Sequence, residues 1–387
     1  MARRARGTGG LYKNKDGYWV GQIIIGVTRE GKPKYKRFMN KSQSVVVEKM
    51  KAYEINKSTL TTEIIADVTL EEYLKYYLTS IKKNSIKPAS YDRDYKTYEN
   101  QIKPRIGHYL VKDLTSDIIQ SQLIGDLLMQ GYSYSTIHKS FVLVNETLKH
   151  AMLQDMIIKN PCAAVKLPKR ENITHKDIRF FTDNEIEVFK KQAVLTYSTG
   201  KPKYKYGNAL CLILYTGLRG GELCSLRWRD IDLKKNQVRV DSNTIVVYDY
   251  NDENETKTRK VIEQNSTKNS KTRIVPLNQK ALDVLSVQRE LVGGSETDYI
   301  INGSNAIIDV GKITDCYENI CKAAGIKNAL GVHTLRHTFA SRAIRKGIDI
   351  KVVSEILGHS SVTFTYNTYV HIIDEQKKNA VDLLNDL

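Results

Sequence analysis

The chain has 387 residues, 41% of them hydrophobic and seven of them proline, with 60 Lys and Arg against 43 Asp and Glu for a formal net charge of +17. That length exceeds what one core usually holds, so two or three globular domains are expected, and the composition excludes a disordered or fibrous chain. The cationic balance favours a polyanionic partner such as nucleic acid, and no apolar run reaches the roughly eighteen residues of a membrane span.

The charge is uneven: between Met1 and Lys41 eleven Lys and Arg face only Asp16 and Glu30. The opening Met-Ala-Arg-Arg-Ala-Arg is not followed by the apolar segment of a secretory signal. Five cysteines, at 162, 211, 224, 316 and 321, are odd in number and lack Cys-x-x-Cys spacing. They read as reduced core residues of a cytoplasmic protein, with no zinc site expected.

Residues 9–40 read as a small antiparallel sheet with turns at Asn14–Gly17 and Arg29–Gly31, covered on one face by a helix through Val45–Tyr53. Lys34, Lys36 and Arg37, interleaved with Tyr18, Trp19, Tyr35 and Phe38, suit a sheet lying in a DNA groove; a plain solvated sheet is the alternative. A polar stretch, Asn56–Thr62, leads to Thr69-Leu-Glu-Glu72, a capping box that opens an all-helical block. Its further helices run from Ser90 to about Lys103, stopped by Pro104; from Thr115 to Met129, stopped at Gly131; and from Ser135 to Leu153, with Asn160-Pro161 beyond. Cations are dense here. Lys87, Arg93 and Lys139 are the expected DNA contacts, although such density also fits solvated helix faces.

Lys166–Lys176 reads as an exposed linker, and Thr182-Asp-Asn-Glu185 caps the first helix of a last domain. Helices are expected over Ala209–Tyr215, after Gly220, from Gln279, Lys312, Thr334 and Val352, and at the C-terminus. Strands fall around Gln237–Val247 and Thr272–Leu277, joined by a polar stretch, Tyr248–Lys257, that reads as a mobile connection. The fold class is therefore multidomain: a small β-sheet with a helix, an all-α block, and a mainly α domain carrying a small antiparallel sheet. An apolar stripe, Ile372, Ile373, Gln376, Ala380, Leu383, Leu384 and Leu387, marks a tail helix with little local core to cover it.

The chemistry concentrates in the last domain. In His333-Thr-Leu-Arg336 the apolar residues Leu335, Phe339, Ala340 and Ile344 recur at helical spacing, so His333 and Arg336 share one face. Thr216-Gly-Leu-Arg219-Gly-Gly-Glu222 sets an arginine at a glycine-flanked helix junction, where its planar fork can meet phosphate oxygens. Taken alone, Arg219 and Glu222 would be an ordinary surface pair. Leu357-Gly-His359 and Tyr369-Val-His371 follow.

Thr-Gly-Leu-Arg, a lysine in a β-hairpin, His-x-x-Arg, Leu-Gly-His and Tyr-x-His, in this order, resemble the tyrosine recombinase (phage-type integrase) family, and the match spans essentially the whole chain. The basic sheet resembles the arm-binding domain of integrases from phages and conjugative transposons, and the helical block resembles the family's core-binding domain. The chemistry has a physical rationale residue by residue. Attack on a phosphodiester builds negative charge that Arg219 and Arg336 are suited to stabilise, while Tyr369 supplies the nucleophile and stores the bond energy in a phosphotyrosine. Neither ATP nor a metal is then needed, and no cofactor is expected. His333 is placed to accept or relay the tyrosine proton, and His359 to hydrogen-bond the phosphate. Tyr366 shares a face with Tyr369 but lacks its spacing from His359; His337 reads as packing or capping, and Glu222 as support for Arg219.

The resemblance implies a lysine as general acid. Ser266–Pro276 offers Lys268 and Lys271 in a spelling that departs from the commoner Pro-Lys-Thr, and Lys268 is preferred. A second departure is Gly220, where a larger residue is more usual after the arginine. The implied domains are 1–60 for arm-type DNA, 65–168 for core sites and 175–387 for catalysis. The implied function is a mobile-element integrase working through a 3′-phosphotyrosine and a Holliday junction, as a homotetramer on double-stranded DNA with core and arm sites, nucleoid-associated and away from membranes. An accessory excision factor is a further partner the resemblance allows. The alternatives are a cellular recombinase resolving chromosome dimers, a type IB topoisomerase, and a non-catalytic DNA-binding regulator.

Overall fold

The computed structural model describes residues 10–27, 33–51, 53, 67–169, 178–251, 256–265, 272–370 and 372. Both candidate lysines, 268 and 271, the polar stretch 56–62, most of the 166–176 linker and the tail stripe beyond Ile372 lie outside them. The chain divides into two compact units, Met1–Thr174 and His175–Leu387.

The first unit opens with three antiparallel strands, β1 (Leu11–Lys13), β2 (Trp19–Val27) and β3 (Pro33–Asn40), in that spatial order. The β1–β2 turn closes because the Asn14 side chain accepts from the backbone N–H groups of Asp16 and Tyr18 while Gly17 takes φ 81°. A helix, α1 (residues 43–51), covers one face, and Gly21 is what lets it approach: a Cβ there would lie 2.8 Å from Val46 and nearer still to Met50. Register puts Gly21 opposite Phe38 and Ile23 opposite Lys36. Lys36 therefore belongs to the helix-covered face, its Nζ 4.2 Å above the Tyr53 ring, whereas Tyr12, Tyr35, Arg37 and Met39 project from the uncovered face and are exposed.

The helical block begins at α2 (Leu70–Tyr76) with a complete capping box: the Thr69 backbone N–H donates to Glu72, and the Glu72 N–H donates to the Thr69 hydroxyl. Helix α3 (Pro88–Thr97) does not stop at Pro104. It widens through Tyr98–Ile102 and resumes as α4 (Lys103–Ile106), so the proline's missing N–H falls at a restart, where no intrahelical partner is owed. Next come α5 (Ser116–Ile118), a wide turn over Ile119–Gly125, α6 (Asp126–Met129) and α7 (Tyr134–Leu153), capped by Thr115 and Ser133. Many of the cations are held by carboxylates: Lys82 by Asp94 and Glu146, Lys96 by Asp92, Lys103 by Glu71, Arg105 by Asp126 and Lys112 by Asp67. Lys87 and Lys139 are exposed, and Arg93, also exposed, lies 3.5 Å from Asp94.

The second unit is built around α9 (Gly207–Thr216), buried on all sides and packed among α8 (Asp183–Ala193), α11 (Gln279–Val292), α12 (Val310–Ala323) and α13 (His333–Arg345). A helix apolar all round has to be central, and Leu210 and Ile213, with no exposed surface, each contribute about 1.5–3 kcal/mol by burial. A short helix, α10 (Gly220–Ser225), follows it. The β-structure is two separate pieces: β4 (Ile231–Asp232), β5 (Gln237–Val240) and β8 (Arg273–Pro276) in one sheet, and a hairpin of β6 (Ser242–Asn251) and β7 (Thr256–Asn265).

The hairpin corrects the reading of Tyr248–Lys257 as a mobile connection: residues 248–251 pair with 256–259. Cross-strand contacts hold this polar ribbon, Lys260 with Asp249 at 2.7 Å and Lys257 over the Tyr248 ring, and Arg259 anchors it to Asp309. At its base Glu263 accepts hydrogen bonds from Arg227 and from the hydroxyl of buried Tyr299. Two last helices, α14 (Ile350–Leu357) and α15 (residues 362–370), complete the described chain.

Candidate active site

Three helix ends meet at the site, the C-termini of α9 and α14 and the N-terminus of α10. Helix α9 ends at Gly217, whose φ of 68° and close approach to Phe339 require glycine; a Cβ there would sit 2.6 Å from the phenylalanine ring. Two residues on, Arg219 is the N-cap of α10, and Glu222 in the first turn accepts from its backbone N–H at 2.8 Å and from its guanidinium at 2.7 Å. Helix α14 likewise closes on Gly358, at φ 66°.

Arg336, on α13, is 4% exposed and donates to the carbonyls of Gly217 and Leu357, each at 2.7 Å. Both acceptors lie at the electronegative C-terminal ends of helices, α9 and α14. Arg219 donates to the next carbonyl, Gly358, at 3.2 Å. Two guanidiniums from separate elements thus grip consecutive carbonyls directly before His359. Burial and the charge of Arg219 push the pKa of Arg336 down, yet a guanidinium remains charged at neutral pH.

Arg273 is a third guanidinium, to which the sequence reading gave no role. From β8 it donates to Glu222 at 2.9 and 2.6 Å and to the Ile356 carbonyl at 2.8 Å. Burial works against the charge on Glu222, but the hydrogen bonds and charge of Arg273, aided by Arg219, hold its pKa down to about 2. No local pattern pointed to Arg273, because its partners come from distant segments; an arginine opening a strand just past the candidate lysines was the only available signal.

The histidines differ in setting. His333, at the start of α13, is exposed, and partial desolvation with the charges of Arg336 and Arg219 lowers its pKa. His359 is half-buried, its Nδ1 2.7 Å from the Thr365 hydroxyl, and burial followed by the same two arginines pushes it down to about 4. Tyr369 is 1% exposed and packs among Ala340, Ala343, Ile344, Val353, Leu357 and Ile372. Burial raises its pKa, opposed in part by Arg336. Its hydroxyl lies 2.8 Å from Nδ1 of His337, the residue read from sequence as packing or capping. Tyr366, on the same helix, faces outward at 38% exposure. The structure therefore gathers Arg219, Arg336, His359 and Tyr369 around the end of α14, with His333 on the same helix as Arg336, while Lys268 falls outside the described residues. Lys36, Arg37, Lys87, Arg93 and Lys139 belong to the other unit, as does Lys34, whose backbone lies on β3. Among the described residues no His, Cys, Asp and Glu cluster could hold a metal ion, and no helix is long and apolar enough to cross a membrane.

The family model for the phage integrase family matches residues 180–376, and that for the phage integrase N-terminal SAM-like domain matches residues 69–127. A Caldanaerobacter subterraneus subsp. tengcongensis protein described as "Tyrosine recombinase XerC-like" is 30% identical, with 97% of each chain covered. The Bacillus subtilis ICEBs1 integrase is 26% identical over 78% of this chain and 82% of its own length. Among solved structures, a Tn1549 transposon integrase in complex with transposon right end DNA superposes with a TM-score of 0.64 at 19% identity, covering 82% of this chain and 100% of that one. A lambda integrase tetramer bound to a Holliday junction gives 0.56 at 20% identity, covering 95% and 96%. These two likenesses speak for the fold.

Proposed function

We propose that this chain, which belongs to the phage integrase family of tyrosine recombinases, is the integrase of a mobile element. As a tyrosine recombinase it is an enzyme that breaks and rejoins DNA. The observation that carries the residue assignment is the grip of Arg336 and Arg219 on the consecutive carbonyls of Leu357 and Gly358, which aims two guanidiniums at one place beside His359 and Tyr369.

In this reading a scissile phosphate lies against Arg219, Arg336 and His359. The Tyr369 oxygen forms a bond to phosphorus, the bond to the 5′-oxygen breaks, and the arginines stabilise the charge that develops on the nonbridging oxygens. His333 relays the phenolic proton, and a lysine of the 266–271 segment, Lys268 in preference to Lys271, protonates the leaving oxygen. Residues 1–60 bind arm-type DNA, 65–168 clasp core sites with Lys87, Arg93 and Lys139 toward the duplex, and 175–387 perform the chemistry within a homotetramer, with an accessory factor for excision. Support for a mobile-element role comes from the sheet unit ahead of the helical block and from the likeness to the ICEBs1 integrase. A second reading, a cellular recombinase, has the XerC-like description of the 30% identical relative in its favour.

The test is covalent trapping on nicked suicide DNA in EDTA without nucleotide. Wild type is expected to form a 3′-phosphotyrosyl adduct, and Tyr369→Phe to bind equally and form none; adducts on that variant would move the nucleophile elsewhere. Circular-junction DNA formed in source cells only when the gene is intact decides for the mobile element over the cellular recombinase.

A further inference from the structure

His337 is the polar side chain against the Tyr369 hydroxyl, and the function derived above does not use it. It lies one helical turn beyond His333 on α13, its ring centroid 6.4 Å from that of His333 and 6.0 Å from that of Tyr369. The phenol ring packs among apolar side chains, Ala340, Ala343 and Ile344 from α13, Val353 and Leu357 from α14, and Ile372, with the charge of Arg336 near enough to act on it. A hydroxyl buried in such surroundings needs a partner, and the 2.8 Å contact with Nδ1 supplies it.

Resting on the assignment of Tyr369 as nucleophile, we propose that His337 is a positioning residue for the reaction, its Nδ1 accepting the Tyr369 hydroxyl hydrogen and so fixing where the oxygen's lone pairs point. The nucleophile's χ angles are set by packing, but rotation about the C–O bond is not, and a hydrogen bond is what sets it. A relay through His333 alone would leave that rotation free. The groups facing His337 are His333 and Arg336 on its own helix, His359 after α14, and Tyr369 on α15. Burial, then the neighbouring His333 and Arg336, push His337 down to about 4. A ring that weakly basic is neutral at pH 7 and a poor store for a proton, so its contribution is direction rather than general-base strength.

The experiment uses the full chain pre-bound to saturating suicide DNA, reading the single-turnover rate of adduct formation together with DNA affinity and melting temperature. His337→Leu is expected to slow adduct formation roughly tenfold, the scale of one lost hydrogen bond, with DNA affinity unchanged. His337→Asn, whose side-chain oxygen occupies the δ position, is expected to restore most of the rate, and His337→Gln, with its amide one carbon further out, is not. In melting, the Leu variant's loss should shrink when Tyr369→Phe has already removed the hydroxyl. Wild-type or faster cleavage by His337→Leu overturns the proposal, as does equal slowing by Asn and Gln; if the Leu variant fails to fold, the Asn–Gln pair decides alone. Adducts formed by Tyr369→Phe would instead overturn the nucleophile assignment, whatever His337 does.

Discussion

The cations of the helical block and those of the active site are held by opposite means. Lys82, Lys96, Lys103 and Arg105 each meet a carboxylate, so the pair carries little net charge outward. Among the described residues Arg336 hydrogen-bonds to carbonyl oxygens, and Arg219 and Arg273 share the carboxylate of Glu222. An uncharged acceptor fixes a guanidinium without cancelling it; a carboxylate fixes and cancels together. The number of cations along the sequence therefore overstates what the helical block offers to phosphate, whereas in the catalytic unit a few arginines keep a local excess.

The sharpest way to break this contrast is Arg336→Lys. An ammonium cannot span the Gly217 and Leu357 carbonyls and still present a flat edge, so cleavage of bound suicide DNA should fall about a hundred- to a thousandfold with DNA binding little changed. A loss confined to affinity would mean that Arg336 only adds charge. Glu222→Gln tests the shared carboxylate. A group held near 2 in the fold and at its ordinary value when unfolded binds fewer protons folded, so it adds stability above about pH 4.5 that disappears as pH falls toward 2; the shift corresponds to about 3 kcal/mol at neutral pH. The glutamine variant should melt lower at pH 7 and approach wild type in acid, and a constant gap between pH 7 and 3 would refute the linkage.

Lys82→Met should lower stability by about 3 kcal/mol, because Asp94 and Glu146 lose their shared cation in a site where the lysine is mostly buried, yet adduct formation below the melting range should be unaffected. Lys96→Ala marks the small end: its half-exposed i,i+4 pair with Asp92 is worth less than about 1 kcal/mol in denaturant titration. If Lys82→Met instead abolished cleavage while remaining folded, the helical block's paired cations would have to be counted with the chemistry.

What was legible in the sequence was local. The capping boxes at Thr69 and Thr182 and the stop at Gly131 depend on residues within a few positions of one another, and the helices start or end there. Arg219, Arg336, His359 and Tyr369, which the fold brings together, are named in the sequence by the motif order of the resemblance. Two features were out of reach. The outer part of the β6–β7 hairpin, Tyr248–Asn251 paired with Thr256–Arg259, alternates polar residues with tyrosines or is polar throughout, so no apolar run distinguishes it from a loop until Lys260 meets Asp249 across the pair. Arg273 gains its role only when the end of α14 and the start of α10 are brought to β8. His337 is visible beside the motif but reads as packing or capping, since only the approach of α15 places a phenol against it.

The acceptors that seat Arg336 belong to the main chain, and this bears on how such a site can change over generations. A side-chain partner can be lost in one codon; the oxygen of residue 357 persists through any replacement that keeps the helix end in place. Point substitution at the acceptors is thus nearly silent for the seat itself, apart from residue 217, where the left-handed φ and the Phe339 ring leave room only for glycine. Lengthening or shortening α14 by one residue would do what substitution cannot, rotating the terminal oxygens away from both arginines together. Lineages of this protein should accordingly tolerate varied apolar residues at 357 but admit no insertion or deletion between residues 350 and 359.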